Sequence, residues 1–178
     1  MATQMCYDYL YKFAKHPAHH MAMNIHIRPG TIAEALIVET ALPEFSATRA
    51  EIDYCQRMGD APSLILVAEV DGALVGYKVG YAQSDTIFYS WLGGVLPAHR
   101  RLGLAQRLLE YQEQWVKEQN YRAIEVRSKN KFPGMLILLL KNGYKIVSVE
   151  ANAPLDERKI TFRKEIRPCA PTNFRSST

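Results

Sequence analysis

A short segment with glycine and arginine, residues 93–105, contains the residue types best suited to chemistry. It reads Gly-Gly-Val-Leu-Pro-Ala-His-Arg-Arg-Leu-Gly-Leu-Ala and lies between a predicted strand and a predicted helix. A glycine turn that opens a helix presents unpaired backbone N–H groups and the positive end of the helix dipole. Small residues at Gly103 and Ala105 let an anion approach the main chain, and Arg100 or Arg101 adds positive charge. The segment predicts a pyrophosphate cradle; a purely structural turn is the alternative.

Other nucleotide and metal motifs are absent from the sequence. No Gly-Lys-Ser/Thr follows Gly103, which excludes a P-loop, and the dinucleotide fingerprint Gly-x-Gly-x-x-Gly does not occur. His16 and His19 have no cysteine or carboxylate ligand near them to complete a metal site. The cysteines are odd in number and widely spaced, and we interpret them as reduced thiols: Cys6, Cys55 and Cys169. No metal site is predicted.

The elements around the cradle follow from hydrophobic periodicity and turn residues. In chain order they are β, α, α, β, β, β, α, β, α, β and β, which predicts one mixed sheet covered by helices. Thr31 and Glu34 predict a capping box for the first helix, and Ser46 caps a second that runs to about Met58. The apolar residues of the first helix recur at helical spacing: Ala33, Leu36, Ile37 and Ala41.

A β-hairpin is the strongest local prediction. Asp71-Gly72 joins the two halves of a β-rich stretch at 64–81 and favours a tight two-residue turn. One face of the second half is expected to carry Val75, Tyr77, Val79 and Tyr81. A third strand, 86–96, completes an antiparallel meander. Further along, six consecutive apolar residues at 135–140 predict a helix that is buried nearly all round.

Length and composition bound the class of protein. The 178 residues suffice for one domain with a real core, and 48% hydrophobic and 22% charged residues are typical of globular proteins. No apolar run approaches the roughly 20 residues that cross a bilayer, and the N-terminus lacks a signal-peptide apolar region, so we expect a cytoplasmic protein. The net charge of +4 is too mild to indicate nucleic-acid binding. An N-terminal extension (1–23) and a C-terminal tail (169–178) are expected to flank the domain at 24–168.

The residues of the cradle also match a known pattern. Arg100-x-x-Gly103-x-Ala105, after a strand that ends at Pro97, resembles the acetyl-CoA motif of the GNAT superfamily of N-acetyltransferases. The predicted element order over 24–166 is similar to that of the family, and the segment 130–144 resembles its second cofactor-contacting segment. The resemblance implies an α/β (α+β) fold, with a largely antiparallel central sheet and helices on both faces. The domain would then be an acetyl-CoA-dependent acyltransferase.

The resemblance implies how the chain holds acetyl-CoA. Gly94, Val95 and Pro97 would face the pantetheine arm, with Val95 nearest the thioester, and Asn130 would contact the cofactor from the next strand end. The pyrophosphate would be held by backbone amides of the cradle: Arg100, Arg101, Leu102, Gly103, Leu104 and Ala105. The acetyl group would lie in the splay between the strands before and after the amphipathic helix.

The proton donor of many family members is missing. They place a tyrosine four residues before a Gly-aromatic pair, and this chain has Leu139 there. We therefore expect Leu139 to be a core residue. Tyr144 or a water would donate the proton, or no donor is needed, because a CoA thiolate is a fairly good leaving group.

The acceptor amine must lose a proton, which a carboxylate can take. Glu44, in the loop between the first two helices, lies where family members build the acceptor pocket, across the sheet from the cradle. A solvated helix-capping carboxylate is the alternative. The residues expected to bind the acceptor are Glu44, Phe45, Tyr77, Tyr89 and Trp91, although aromatic residues on these strands also suit a core.

The predicted function is an N-acetyltransferase that moves acetyl from acetyl-CoA onto the primary amine of a small molecule or peptide by direct attack. The alternative is a non-catalytic acyl-CoA-binding or regulatory module with the same fold. The expected partner is the amine, with neither nucleic acid nor membrane. A homodimer and a longer acyl donor stay open, and the sequence does not identify the amine.

Overall fold

The fold is one seven-stranded sheet with helices on both faces. The computed structural model describes residues 23–45 and 49–166. The strands are β1 Ile25–Pro29, β2 Ser63–Val70, β3 Ala73–Ala82, β4 Ile87–Val95, β5 Ala123–Lys129, β6 Lys145–Val149 and β7 Lys159–Glu165. The helices are α1 Ile32–Thr40, α2 Glu51–Met58, α3 Leu104–Glu118 and α4 Pro133–Lys141, with 3-10 turns at Pro97–His99 and Leu155–Glu157. The strand order is β1-β2-β3-β4-β5-β7-β6, and only β4 and β5 pair in parallel within this sheet. The mixed, largely antiparallel sheet is confirmed.

Helix α1 begins at the predicted capping box. The Glu34 amide donates to the Thr31 hydroxyl at 3.2 Å, and the Thr31 amide donates to the Glu34 carboxylate at 2.9 Å. The predicted apolar stripe is wrong, since Ala33 and Ala41 are exposed and Ile37 is 59% exposed. The buried residues of α1 and the turn after it are Ala35, Val38, Glu39 and Leu42. Because α1 is apolar on most sides, periodicity did not select the face that packs on the sheet.

Strands β2 and β3 form the predicted hairpin. Asp71 and Gly72 have φ angles of 51° and 83°, the two left-handed residues of a tight hairpin turn. The predicted alternation along β3 is wrong at Val75. The pairing of β3 with β2 shifts register there, so Val75 is an extra residue and packs on the face opposite Tyr77.

Two hydrophobic clusters cover the two faces of the sheet. On the face covered by α1 and α2, hereafter the α1–α2 face, the buried members are Ala35, Val38, Leu42, Tyr54, Met58, Tyr77 and Val79. The opposite face, the α3–α4 face, holds the larger cluster, which includes Leu109, Leu139 and Phe162.

Burial lowers the pKa of Lys78 on β3 to about 8, and the Glu113 carboxylate on α3 opposes the shift.

Helix α4 is less buried than predicted. Leu139 is fully buried, which confirms it as a core residue, but Ile137 and Leu140 are 52% and 51% exposed. The helix packs on β5, and its buried residue is Leu139. A run of apolar residues places apolar side chains on every side of a helix, whether or not a partner covers each side.

Several predictions concern residues outside those described. They are the extension before Met23, the Ser46 cap, Cys6, Cys169 and the tail. Helix α2 begins at Glu51 with Ala50 as its N-cap. In the described ranges, none of the helices has the length and apolar character needed to span a bilayer.

Candidate functional site

A cleft opens where β4 and β5 part. Their last pair is Ser90 with Val126, and no further β4–β5 pair follows in the described sheet. Beyond that point β4 stays paired with β3 as far as Val95, and β5 stays paired with β7 as far as Lys129. The facing edges of β4 and β5 are therefore available to a ligand.

A β-bulge marks the start of this separation. Val79 of β3 lies opposite Leu92, and Gly80 lies opposite Ser90, so Trp91 is an extra residue in β4. Such a bulge bends its strand and increases the local twist. It also brings Trp91 and Leu92 together on the α1–α2 face. The cleft thus coincides with one inserted residue, for which the sequence carries no marker.

Helix α3 begins beside the end of β4 without a side-chain cap. Gly103 is its N-cap with a φ of 78°, and Arg101 also has a left-handed φ, of 68°. The Gly103 carbonyl accepts its hydrogen bond from the Arg107 amide, so the amides of residues 104–106 precede the first intrahelical bond. A Cβ built at Gly103 would meet no atom within 4 Å. Unpaired amides, a positive helix end and open space fit a pyrophosphate group.

Arg100 of the cradle is held by the protein itself. Its Nε donates to the carbonyl oxygen of Val95 at 3.0 Å, and its Nη2 donates to the carboxylate of Glu44. Glu44, expected across the sheet from the cradle, therefore contacts a cradle arginine, while its neighbours Leu42 and Phe45 pack on the α1–α2 face. Arg101 is exposed beside the start of α3.

The other residues predicted to bind the donor border the end of the cleft. Gly94 lies near the end of β4, and Pro97 opens the 3-10 turn that follows. A Cβ at Gly94 would lie 2.5 Å from Cδ1 of Leu42, so glycine there lets the loop after α1 pack on β4. Asn130 follows β5 across the cleft, and its side-chain amide donates to the Leu155 carbonyl at 2.8 Å.

A buried carboxylate that the sequence analysis missed organises the α1–α2 face. Glu39 is 1% exposed and accepts hydrogen bonds from the hydroxyls of Tyr54 and Tyr77, the latter at 3.0 Å. Burial raises the pKa of both tyrosines, so both keep the proton that they donate. The guanidinium of Arg49 pairs with Glu39 at 2.5 Å. The sequence held one signal for this buried carboxylate: Glu39 follows Ala35 by four positions, which places both on the same side of α1.

Arg49 lies against two aromatic rings of the same face. Its guanidinium carbon is 5.6 Å from the ring centre of Phe45 and 5.7 Å from that of Trp91, which are cation–π distances. The ring centres of Phe45 and Tyr77 are 6.5 Å apart. Three of the residues expected to bind the acceptor thus come together here. Tyr89 lies further back along β4.

Tyr144, expected as a proton donor, lies in the core of the α3–α4 face. It is 2% exposed, and the Lys164 ammonium lies 5.5 Å from its ring centre and 2.6 Å from the Glu113 carboxylate. Burial, and then Glu113, raise the pKa of the Tyr144 hydroxyl. Proton transfer to a thiolate, whose ordinary pKa is about 8.5, is then unfavourable. These surroundings favour a structural role.

The arrangement combines the uncapped start of α3, the cleft between β4 and β5, and the aromatic residues of the α1–α2 face. Amides at the start of α3 can hold a polyphosphate, and an extended chain can run between β4 and β5. Its reactive end can then reach the α1–α2 face near Trp91. A nucleophile bound on that face would approach the reactive end from the side opposite α3.

Comparisons with known proteins agree with this geometry. The sequence model of the acetyltransferase (GNAT) family matches residues 32–132, and no curated protein matches the chain. Among similar solved structures, the ribosomal-protein-S18-alanine N-acetyltransferase from Escherichia coli has a TM-score of 0.71 at 15% identity, covering 84% of this chain and 98% of that one. Ard1 from Thermoplasma volcanium has a TM-score of 0.68 at 20% identity, covering 80% of this chain and 98% of that one. A GNAT family acetyltransferase from Elizabethkingia anophelis with acetyl-CoA bound has a TM-score of 0.61 at 18% identity, covering 80% of this chain and 98% of that one.

Proposed function

The chain belongs to the acetyltransferase (GNAT) family, and on that premise we propose that it transfers the acetyl group of acetyl-CoA to the primary amine of a small molecule or peptide. Its enzyme class, acyltransferase with acetyl-CoA as donor, follows from the family. The observation that carries the proposal is the uncapped start of α3 beside the cleft between β4 and β5. A solved structure of this fold holds acetyl-CoA.

The donor would lie along the cleft with its pyrophosphate at the start of α3. Of the amides predicted at residues 100–105, that of Arg100 already donates to the Pro97 carbonyl at 3.3 Å. The amides at 101–105 would donate to the phosphate oxygens, where the helix dipole adds positive potential. The Arg100 guanidinium already binds Val95 and Glu44, so Arg101 supplies the additional charge. Asn130 would contact the donor from the β5 side.

The proposed reaction is a direct transfer without an acyl-enzyme intermediate. The lone pair of the neutral amine attacks the thioester carbonyl carbon, a C–N bond forms, and the C–S bond breaks. The nitrogen loses one proton and the CoA thiolate gains one, which gives the N-acetylamine and CoA. The protein's contribution is orientation and an electrostatic environment, since no covalent nucleophile is needed.

The sequence nominates Glu44 and Tyr144 for proton transfer, but the surroundings of each residue support another role. Through its ion pair with Arg100, Glu44 ties the loop after α1 to the cradle, so we propose that it couples donor and acceptor binding. The burial of Tyr144 supports departure of the thiolate without that hydroxyl. A cytoplasmic location and a homodimer stay predictions.

Replacing Gly103 by Glu tests the cradle. The variant places a carboxylate and its bulk in the open space before α3, so acetyl-CoA affinity measured by calorimetry should fall tenfold or more, at least about 1.4 kcal/mol. Gly72→Glu is the matched control. Gly72 also has a left-handed φ, 83°, and no atom within 4 Å of its built Cβ, but it lies in the β2–β3 turn. If Gly103→Glu binds acetyl-CoA as tightly as Gly72→Glu does, the cradle lies elsewhere.

A second measurement separates the enzyme from the non-catalytic alternative. Thiol release from acetyl-CoA is followed across a panel of amines with the wild-type protein. Binding of acetyl-CoA with release above the uncatalysed rate supports the transferase. Binding without release from any amine supports the acyl-CoA-binding module.

A further inference from the structure

A pocket of about 280 Å³ opens on the α1–α2 face where β4 and β5 part. Its lining residues are Arg57, Tyr81, Gln83, Tyr89 and Arg127. Tyr89 belongs to the last-but-one β4–β5 pair, and Arg127 is the first residue of β5 beyond the last pair. The pocket therefore adjoins the point from which the cleft begins.

The two arginines of this pocket lie against aromatic rings. The Arg127 guanidinium is 5.8 Å from the ring centre of Tyr89, and that of Arg57 is 5.9 Å from the ring centre of Tyr81. Neither has an ion-pair partner among the described residues, whereas Arg163 on the next strand pairs with Glu125 at 3.4 Å. No carboxylate lines the pocket.

This lining selects for an anion. A guanidinium that stacks on a ring by its face keeps the N–H groups of its edge available, and those groups match a carboxylate in bidentate geometry. Two such groups lie beside two tyrosines, of which Tyr89 is only 9% exposed. This lining suits a planar anion better than a cation. A bare ammonium ion would be repelled.

We propose that this pocket binds a carboxylate of the acceptor, so that the acceptor is an amino acid or a similar amine that carries a carboxylate. The inference rests on the proposed acetyl transfer. A carboxylate held by Arg57 and Arg127 leaves the amine to extend toward the cleft. There the two positive charges also favour the neutral form of the amine, the form that attacks.

The test compares each acid with its amide, using phenylalanine and leucine against phenylalaninamide and leucinamide. The ratio of kcat/KM for acid over amide is measured in wild type, Arg57→Gln and Arg127→Gln. Comparing this ratio between proteins cancels the difference in amine pKa between acid and amide. Arg122→Gln is the matched control, because Arg122 is exposed just before β5 and does not line the pocket.

We expect the ratio to fall about tenfold to a hundredfold in both pocket variants, as for a lost charge-assisted hydrogen bond, and to hold in the control. An unchanged ratio in both pocket variants overturns the proposal. A fall of the same size in the Arg122 control overturns it too.

If no amine is acetylated although acetyl-CoA binds, the proposed function fails and the pocket is tested by binding alone. Calorimetry with CoA present then compares phenylalanine, phenylalaninamide and inorganic phosphate. Binding of phenylalanine but not its amide, lost in Arg127→Gln, supports the pocket. Equal binding of both, binding of neither, or binding of phosphate alone overturns the assignment of a carboxylate.

Discussion

Replacing Arg49 by Met tests how far the buried carboxylate of Glu39 depends on its guanidinium partner. Met retains a long apolar side chain that can still contact Phe45 and Trp91, but it carries no charge. The Glu39 oxygen that accepts from Arg49 loses its donor, while the other oxygen keeps the hydroxyls of two tyrosines. The variant therefore leaves a buried carboxylate that is only partly satisfied.

The magnitude follows from the burial of the two partners. Breaking a fully buried ion pair costs about 3–5 kcal/mol, whereas exposed pairs contribute at most about 1 kcal/mol. The side chain of Glu39 is 0% exposed and that of Arg49 is 31% exposed, so this pair lies between the two cases. We expect a loss of about 2 kcal/mol in the free energy of unfolding, or about 4–8 °C in Tm for a chain of this size.

The assay is a double-mutant cycle by urea unfolding, with Arg49→Met, Glu39→Gln and the double variant. A coupling energy of about 1–2 kcal/mol is expected, because neither single variant keeps the charge pair. The control cycle uses Lys159 and Glu150, which lie 3.8 Å apart and are each 51% exposed, and should give less than about 0.5 kcal/mol.

The kinetic consequence is separate from the stability. Since Arg49 lies against Phe45 and Trp91, its loss should raise the KM for the acceptor and leave acetyl-CoA affinity unchanged. The reasoning is refuted by a coupling energy no larger than that of the Lys159–Glu150 control. In that case the two tyrosine hydroxyls satisfy Glu39 without Arg49.

Three further substitutions test other parts of the molecule. Glu44→Gln should weaken acetyl-CoA binding and raise the acceptor KM, each about threefold to tenfold, because the loop after α1 is released from Arg100. An effect on kcat alone, with an altered pH profile, would instead make Glu44 a general base. Tyr144→Phe should change kcat less than about twofold, since the buried hydroxyl is not proposed to protonate the thiolate; a loss of 100-fold or so with unchanged stability would restore it as the donor. Lys78→Met should abolish a pH dependence of stability. The pKa of Lys78 is about 8 in the folded protein and 10.5 ordinarily, so between these pH values the unfolded chain binds more protons than the folded one. Over that pH range the stability of the wild type should therefore rise by up to about 3 kcal/mol relative to the variant. Parallel unfolding free energies for the two proteins from pH 7 to 10.5 would contradict that shift.

The sequence by itself determined the features that rest on local interactions. The Thr31–Glu34 capping box, the Asp71-Gly72 hairpin and the turn into α3 each depend on residues within a few positions of one another. The mixed sheet also followed, because element order and connection lengths restrict how strands can pair. The helix start that the sequence predicts as the cradle followed for the same reason, since free amides at a helix start are a property of the helix itself.

Tertiary structure alone decided which faces meet and where strands part. The bulges at Val75 and Trp91 are set by pairing with a neighbouring strand, so alternation within one strand gave no sign of them. The same holds for charges that act at a distance along the chain. Glu44 lies 56 positions before Arg100, and Glu39 gains its partners from two other segments. Such contacts depend on how the segments pack, and spacing within one segment does not encode them.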